Sequence, residues 1–158
     1  MSLLKKLEEV KNKFPEVREC IKGCGGSPFT VTAIDYKETD KYKIVVAKWD
    51  QWILFTSGGG QLRNWIILYY KEKQGGKVKS IRTRKMITID YTNPEESKNY
   101  QLLCYVSILD VDNNLVKVLW HDGKEKGMLY EFDLKKKKVK EEEVEKTKLE
   151  LITKKEDY

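Results

Sequence analysis

Apolar residues recur at three- and four-residue steps near the start of the chain: Leu3, Leu4, Leu7, Val10, Phe14, Val17 and Ile21, with Lys and Glu between them. That spacing lines one face of a helix, so residues 2–22 are predicted to be helical and amphipathic, with Ser2 as N-cap. Pro15 falls inside the pattern and kinks or splits it, because proline has no N–H to donate and its ring crowds the preceding turn. Gly23, Gly25 and Gly26, followed by Pro28, end the helix.

From Phe29 onward the period changes to two. Strands are predicted at 29–37, 42–48, 51–57, 63–71, 78–91, 100–110, 115–121 and 128–134, separated mostly by glycine or Asn/Asp clusters. Asn113-Asn114 and Asp122-Gly123 suit hairpin turns that need positive φ. Short links between neighbouring strands require antiparallel pairing. Segments 63–71 and 100–110 are apolar on both faces and read as central strands covered on both sides.

After Leu134 the composition shifts to KKKKVKEEEVEKTKLELITKKED, whose few apolar residues fall mostly five apart. That suits neither a heptad nor an ideal helix, and the segment reads as a solvated helix or a tail. The expected fold is therefore α+β: an N-terminal amphipathic helix packed on a mainly antiparallel sheet of six to eight strands, with a charged C-terminal helix or tail. Residues 1–134 form the single domain and residues 135–158 the charged appendage.

Composition narrows the class. A chain of 158 residues suits one domain with a real core. No apolar run reaches the roughly 20 residues of a membrane helix, and the charged start lacks the apolar centre of a secretory signal. Three cysteines, Cys20, Cys24 and Cys104, make a poor disulfide framework, so a cytoplasmic location is expected. The wealth of Lys, Glu, Ile and Tyr resembles thermophile composition.

Charge placement changes the picture most. Residues 41–85 carry eleven Lys or Arg against Asp50 and Glu72, a charge of +9 where the whole chain has +6. Trp49, Trp52, Phe55, Trp65, Tyr69 and Tyr70 lie in the same stretch. Cations that track phosphates beside rings that stack on bases are the two ingredients of single-strand binding. The leading expectation is a non-enzymatic nucleic-acid-binding protein, favouring single-stranded DNA or RNA, with a basic, aromatic-lined sheet face. Lys48, Arg63, Lys71, Lys77, Lys79, Arg82, Arg84 and Lys85 would contact phosphates, and Trp49, Trp52 and Trp65 would stack. The same tryptophans are also good strand residues and core fillers, and no ribonucleoprotein, KH or zinc-knuckle signature accompanies them.

The remaining motifs carry less. SGGGQLRNW lacks the spacing and following helix of a phosphate loop and reads as a strand connection. Cys20, Cys24, Cys104 and His121 lack the tight paired spacing of structural zinc, so no metal or cofactor is expected. Asp110-Val-Asp112-Asn-Asn114 starts like an EF-hand loop but has Leu115 where glycine is needed. A small Mg²⁺-dependent nuclease is the alternative, using Asp110, Asp112, Asp133 and Lys135. A third reading is an interaction module that binds a protein partner or a second copy through the C-terminal tail.

Overall fold

In the computed structural model, which describes residues 3–22, 29–54, 59–83, 87–91, 105–121 and 127–145, the N-terminal pattern yields a shorter helix than predicted. Helix α1 spans Leu3–Lys13, and Pro15 opens a separate 3₁₀ turn at Pro15–Val17. Val10, Phe14, Val17 and Ile21 are buried. Leu4, counted in the apolar stripe, points to solvent at 76% exposure.

All described strands pair antiparallel, but in two sheets rather than one. The first contains β1 (Phe29–Glu38), β2 (Tyr42–Leu54), β3 (Gly60–Glu72), β4 (Lys79–Arg82) and β5 (Ile87–Tyr91). β2 occupies one edge of β3 along its whole length, so β4 and β5 lie end to end on the other. The predicted strands 42–48 and 51–57 are one, because Trp49-Asp50 contains nothing that turns the chain. The second sheet is the meander β6 (Tyr105–Asp112), β7 (Leu115–His121), β8 (Gly127–Asp133) and β9 (Lys138–Val144).

Two expectations are corrected here. β6 is an edge strand rather than a central one. The charged stretch read as helix or tail forms β9 over Lys138–Val144, hydrogen-bonded to β8. Residues 146–158 lie outside the described residues, as do 100–104.

The strands sort their side chains by parity. Even-numbered Ile44, Val46, Ile66, Leu68 and Tyr70 of the first sheet meet Val116, Val118, Trp120, Tyr130 and Phe132 of the second, forming the larger core. Odd-numbered Val45, Ala47, Trp49, Trp65 and Tyr69 face the other way, under Val10, Phe14, Val17 and Ile21. The layers are thus helix, sheet, sheet, with β1 against β6 and β4 against β9.

Asp35 fastens the two sheets at one edge. Its Oδ2 accepts the Ile108 N–H at 2.7 Å, beside a register shift between Ile108 and Asp110. Asp35→Ala is expected to lower stability by about 1–3 kcal/mol, since that part-buried N–H loses its partner. Urea unfolding checks this, and a loss under about 0.5 kcal/mol would mean water replaces the carboxylate without penalty.

Candidate nucleic-acid interface

The first sheet does not present its tryptophans as a platform. Trp49 and Trp65 are cross-strand partners on the helix-covered face, 9% and 5% exposed. The Arg82 guanidinium lies 4.8 Å above the Trp65 ring, closing it from the solvent side. Trp120 is buried between the sheets. The Trp52 side chain, Phe55, Arg84 and Lys85 lie outside the described residues.

Lys48 is wholly interior. It shares even parity with Ile44 and Val46, so its side chain enters the space between the sheets, donating to Thr32 Oγ1 at 2.8 Å. Its ammonium also sits 2.8 Å from Asp50 Oδ1, and both side chains have 0% exposure. That contact is one of charge: neither Asp50 oxygen has hydrogen-bond geometry, and both polar atoms of the adjoining Asn64 lack partners. Burial pushes the Asp50 carboxyl above its ordinary range, and Lys48 pulls it back. In this arrangement Lys48 is a structural cation held away from solvent.

The other predicted contacts divide. Arg63 donates to Gln61 at 2.8 Å, and Lys71 lies 3.5 Å from Glu16 of the 3₁₀ turn. Lys77, Lys79 and Arg82 are exposed. Lys77 and Lys79 belong to an arrangement that parity alone does not disclose.

All four hairpin turns of the described strands meet at one end of the sandwich. Tyr42, beside the β1–β2 turn, donates its hydroxyl to Asn114 of the β6–β7 turn at 2.7 Å, and Lys41 Nζ reaches the same oxygen at 3.3 Å. Tyr70, near the β3–β4 turn, donates to the Leu134 carbonyl of the β8–β9 turn at 2.9 Å. The Leu134 N–H in turn donates to the Asn114 carbonyl at 2.9 Å. These turns (39–41, 73–78, 113–114 and 134–137) hold six lysines, Lys41, Lys73, Lys77, Lys135, Lys136 and Lys137, against one acid, Asp40. Lys79 and Lys138 extend the cluster on the adjoining strands.

Local chemistry fixes the β8–β9 turn. Asp133 Oδ1 accepts the N–H groups of Lys135 and Lys136 at 3.0 and 2.9 Å, and Lys137 takes φ +54°. The carboxylate that would oppose the lysine run is thereby committed to the backbone. Glu38 is paired with Lys73 at 3.1 Å. Lys77, Lys79 and Lys135 to Lys138 form no ion pair among the described residues.

The β8–β9 lysines were missed as candidates because the run resembles a solvated tail. A signal was present: Asp133 before a polar run, then Val139 and Val144 five apart. On a strand five is odd, so the two valines face opposite sides, as β9 places them.

The minor motifs are ordinary where described. Asn113-Asn114 is a hairpin turn with Asn113 at φ +54°, as expected. His121 stacks on Tyr105 with centroids 4.9 Å apart. Cys20 is exposed, whereas Cys24 and Cys104 lie outside the described residues. Asp110 and Asp112 sit on β6 and Asp133 on β8, with β7 between them. Among the described residues no three His, Cys, Asp or Glu side chains are grouped to hold a metal, and no helix is long and apolar enough to cross a membrane.

No protein-family model, curated protein or solved structure matches this chain.

Proposed function

We propose that the chain binds nucleic acid by its phosphate backbone, at the lysine-rich end where the four turns meet. The observation that carries this reading is convergence. Lys77 and Lys79 are separated from Lys135–Lys138 by more than fifty residues of sequence, yet all six are exposed, unpaired and at the same end of the sandwich. Unpaired lysines are what counterion release requires: each phosphate neutralised frees a bound cation, and affinity falls steeply with salt.

The preference for single strands rested on stacking by Trp49, Trp52 and Trp65. With Trp49 and Trp65 in the core, the reading stands on phosphate contacts, and charge density rather than unpaired bases governs the ligand. No reaction is required of the site.

The test is fluorescence anisotropy with labelled single-stranded DNA, duplex DNA and RNA over a salt series. Log affinity is expected to fall linearly with log salt, at a slope of about −0.7 per phosphate on single strands and −0.9 on duplex. Lys135→Gln, Lys136→Gln and Lys138→Gln together should flatten that slope by about 2–3 on duplex, and Lys22→Gln, away from these turns, should leave it unchanged. Absence of binding at low salt, or an unaltered slope in the triple variant, would remove the proposal.

A further inference from the structure

The outer face of the second sheet bears a row of charges that neither the fold nor the lysine cluster uses. Successive register partners across its four strands are Asp110 on β6, Lys117 on β7, Glu131 on β8 and Lys140 on β9. Signs alternate along the row, yet none of the four forms an ion pair among the described residues. A shallow concavity of about 640 Å³ lies over it, lined by Leu109, Lys117, Leu129, Glu131, Lys140 and Glu142 among others. Leu119 and Val144 on this face are closed off, so the open part is the charged row with Leu109 and Leu129 beside it, and Leu115, 37% exposed, on the far side.

We infer that this face takes a second copy of the same chain. Consider a two-fold axis parallel to the strands, between β7 and β8. It sets β6 over the partner's β9 and β7 over the partner's β8. Asp110 then meets the partner's Lys140, and Lys117 meets the partner's Glu131. Two more pairs follow by symmetry. In the adjoining row Asp112 meets the partner's Lys138, since Asp112, Leu115, Asp133 and Lys138 are likewise register partners. The row is its own complement, which is what an isologous interface demands. A polyanion is a poor occupant, because Asp110 and Glu131 repel it.

Size sets the strength. Four strands about 4.8 Å apart and seven residues long cover roughly 400 Å² per copy. That sums to less than the roughly 1,200 Å² low end of stable interfaces, so the dimer is weak, concentration-dependent and sensitive to salt. The axis keeps strand direction, so both lysine-rich ends point the same way and make one longer cationic surface. The pairing itself is independent of what that surface binds.

Sedimentation velocity over a concentration series, at low and high salt, tests the inference. The weight-average coefficient is expected to rise with concentration at low salt and to stay at the monomer value at high salt. Lys117→Glu should weaken dimerisation at least about tenfold, because each substitution meets a like charge twice across the axis. Adding Glu131→Lys should restore it, since the swapped charges face each other again. The swap Asp110→Lys with Lys140→Glu should behave as the first double variant does. Circular dichroism of each variant separates loss of pairing from loss of fold. A wild-type chain that stays monomeric at about 100 μM, the scale on which so small an interface must show, overturns the inference. So does dimerisation that neither single reversal weakens, or folded double variants that fail to pair.

Discussion

Lys48→Met is expected to cost about 3–5 kcal/mol of stability, because it strands the Asp50 carboxylate in a water-free interior. Asp50→Asn should cost a similar amount by stranding the ammonium. Removing both charges, as Lys48→Met with Asp50→Leu, should bring stability back to within about 1–2 kcal/mol of wild type, since two desolvation penalties disappear together. Urea unfolding of the four proteins closes the cycle.

The pH dependence gives a second readout of the same pair. Burial raises the Asp50 carboxyl, and Lys48 opposes it, so without Lys48 burial acts alone. A carboxyl whose folded value is raised takes up a proton on folding. Its favourable contribution is complete below the unfolded value and is lost as pH rises through the folded value. The Lys48→Met deficit should therefore be largest at neutral pH and shrink on acidification. A small deficit that does not change with pH would mean that water reaches the pair.

The second large effect concerns the helix. Phe14 has 0% exposure and packs with Val10 and Val17 against the face that carries Trp49, Trp65 and Tyr69. Lys43 sets its ammonium 6.0 Å from the ring centroid. Phe14→Ala removes a large ring from a packed layer and should cost about 3–5 kcal/mol. Leu4→Ala, on the same helix but in solvent, should stay within about 0.5 kcal/mol of wild type. Tryptophan fluorescence reports the same event, since loosening the helix wets Trp49 and Trp65. If Phe14→Ala and Leu4→Ala were equally mild, the helix would not be part of the folding unit.

Periodicity made much of this fold readable. Steps of three and four placed Val10, Phe14, Val17 and Ile21 on one face, and Pro15 marked the break after Lys13. The alternation around Val45 and Val46 gave strands, but both faces of β2 are apolar, so parity could not say which is covered by the helix. It did hold a clue to the ion pair: Lys48 and Asp50 keep step with Ile44 and Val46, and an interior position follows from that. The assignment of strands to two sheets was not legible, because alternation is the same whichever strands pair. The lysine-rich end was hidden for the same reason. Lys77 and Lys135 become neighbours only when two meanders stack with their turns together. Trp49 and Trp65 misled because composition sees a ring beside a cation, and not the helix that covers it.

Each sheet is one uninterrupted stretch of chain, 29–91 for the first and 105–144 for the second. During synthesis this order matters. The helix and the first meander can close on each other before β6 has been made, using only contacts between neighbouring segments. Until the second meander follows, Ile44, Val46, Ile66, Leu68 and Tyr70 face water as an apolar sheet surface. The chain thus passes through a stage with one finished layer and one sticky face. The first meander's dependence on the second at that stage is for shelter from aggregation, rather than for its own hydrogen bonds.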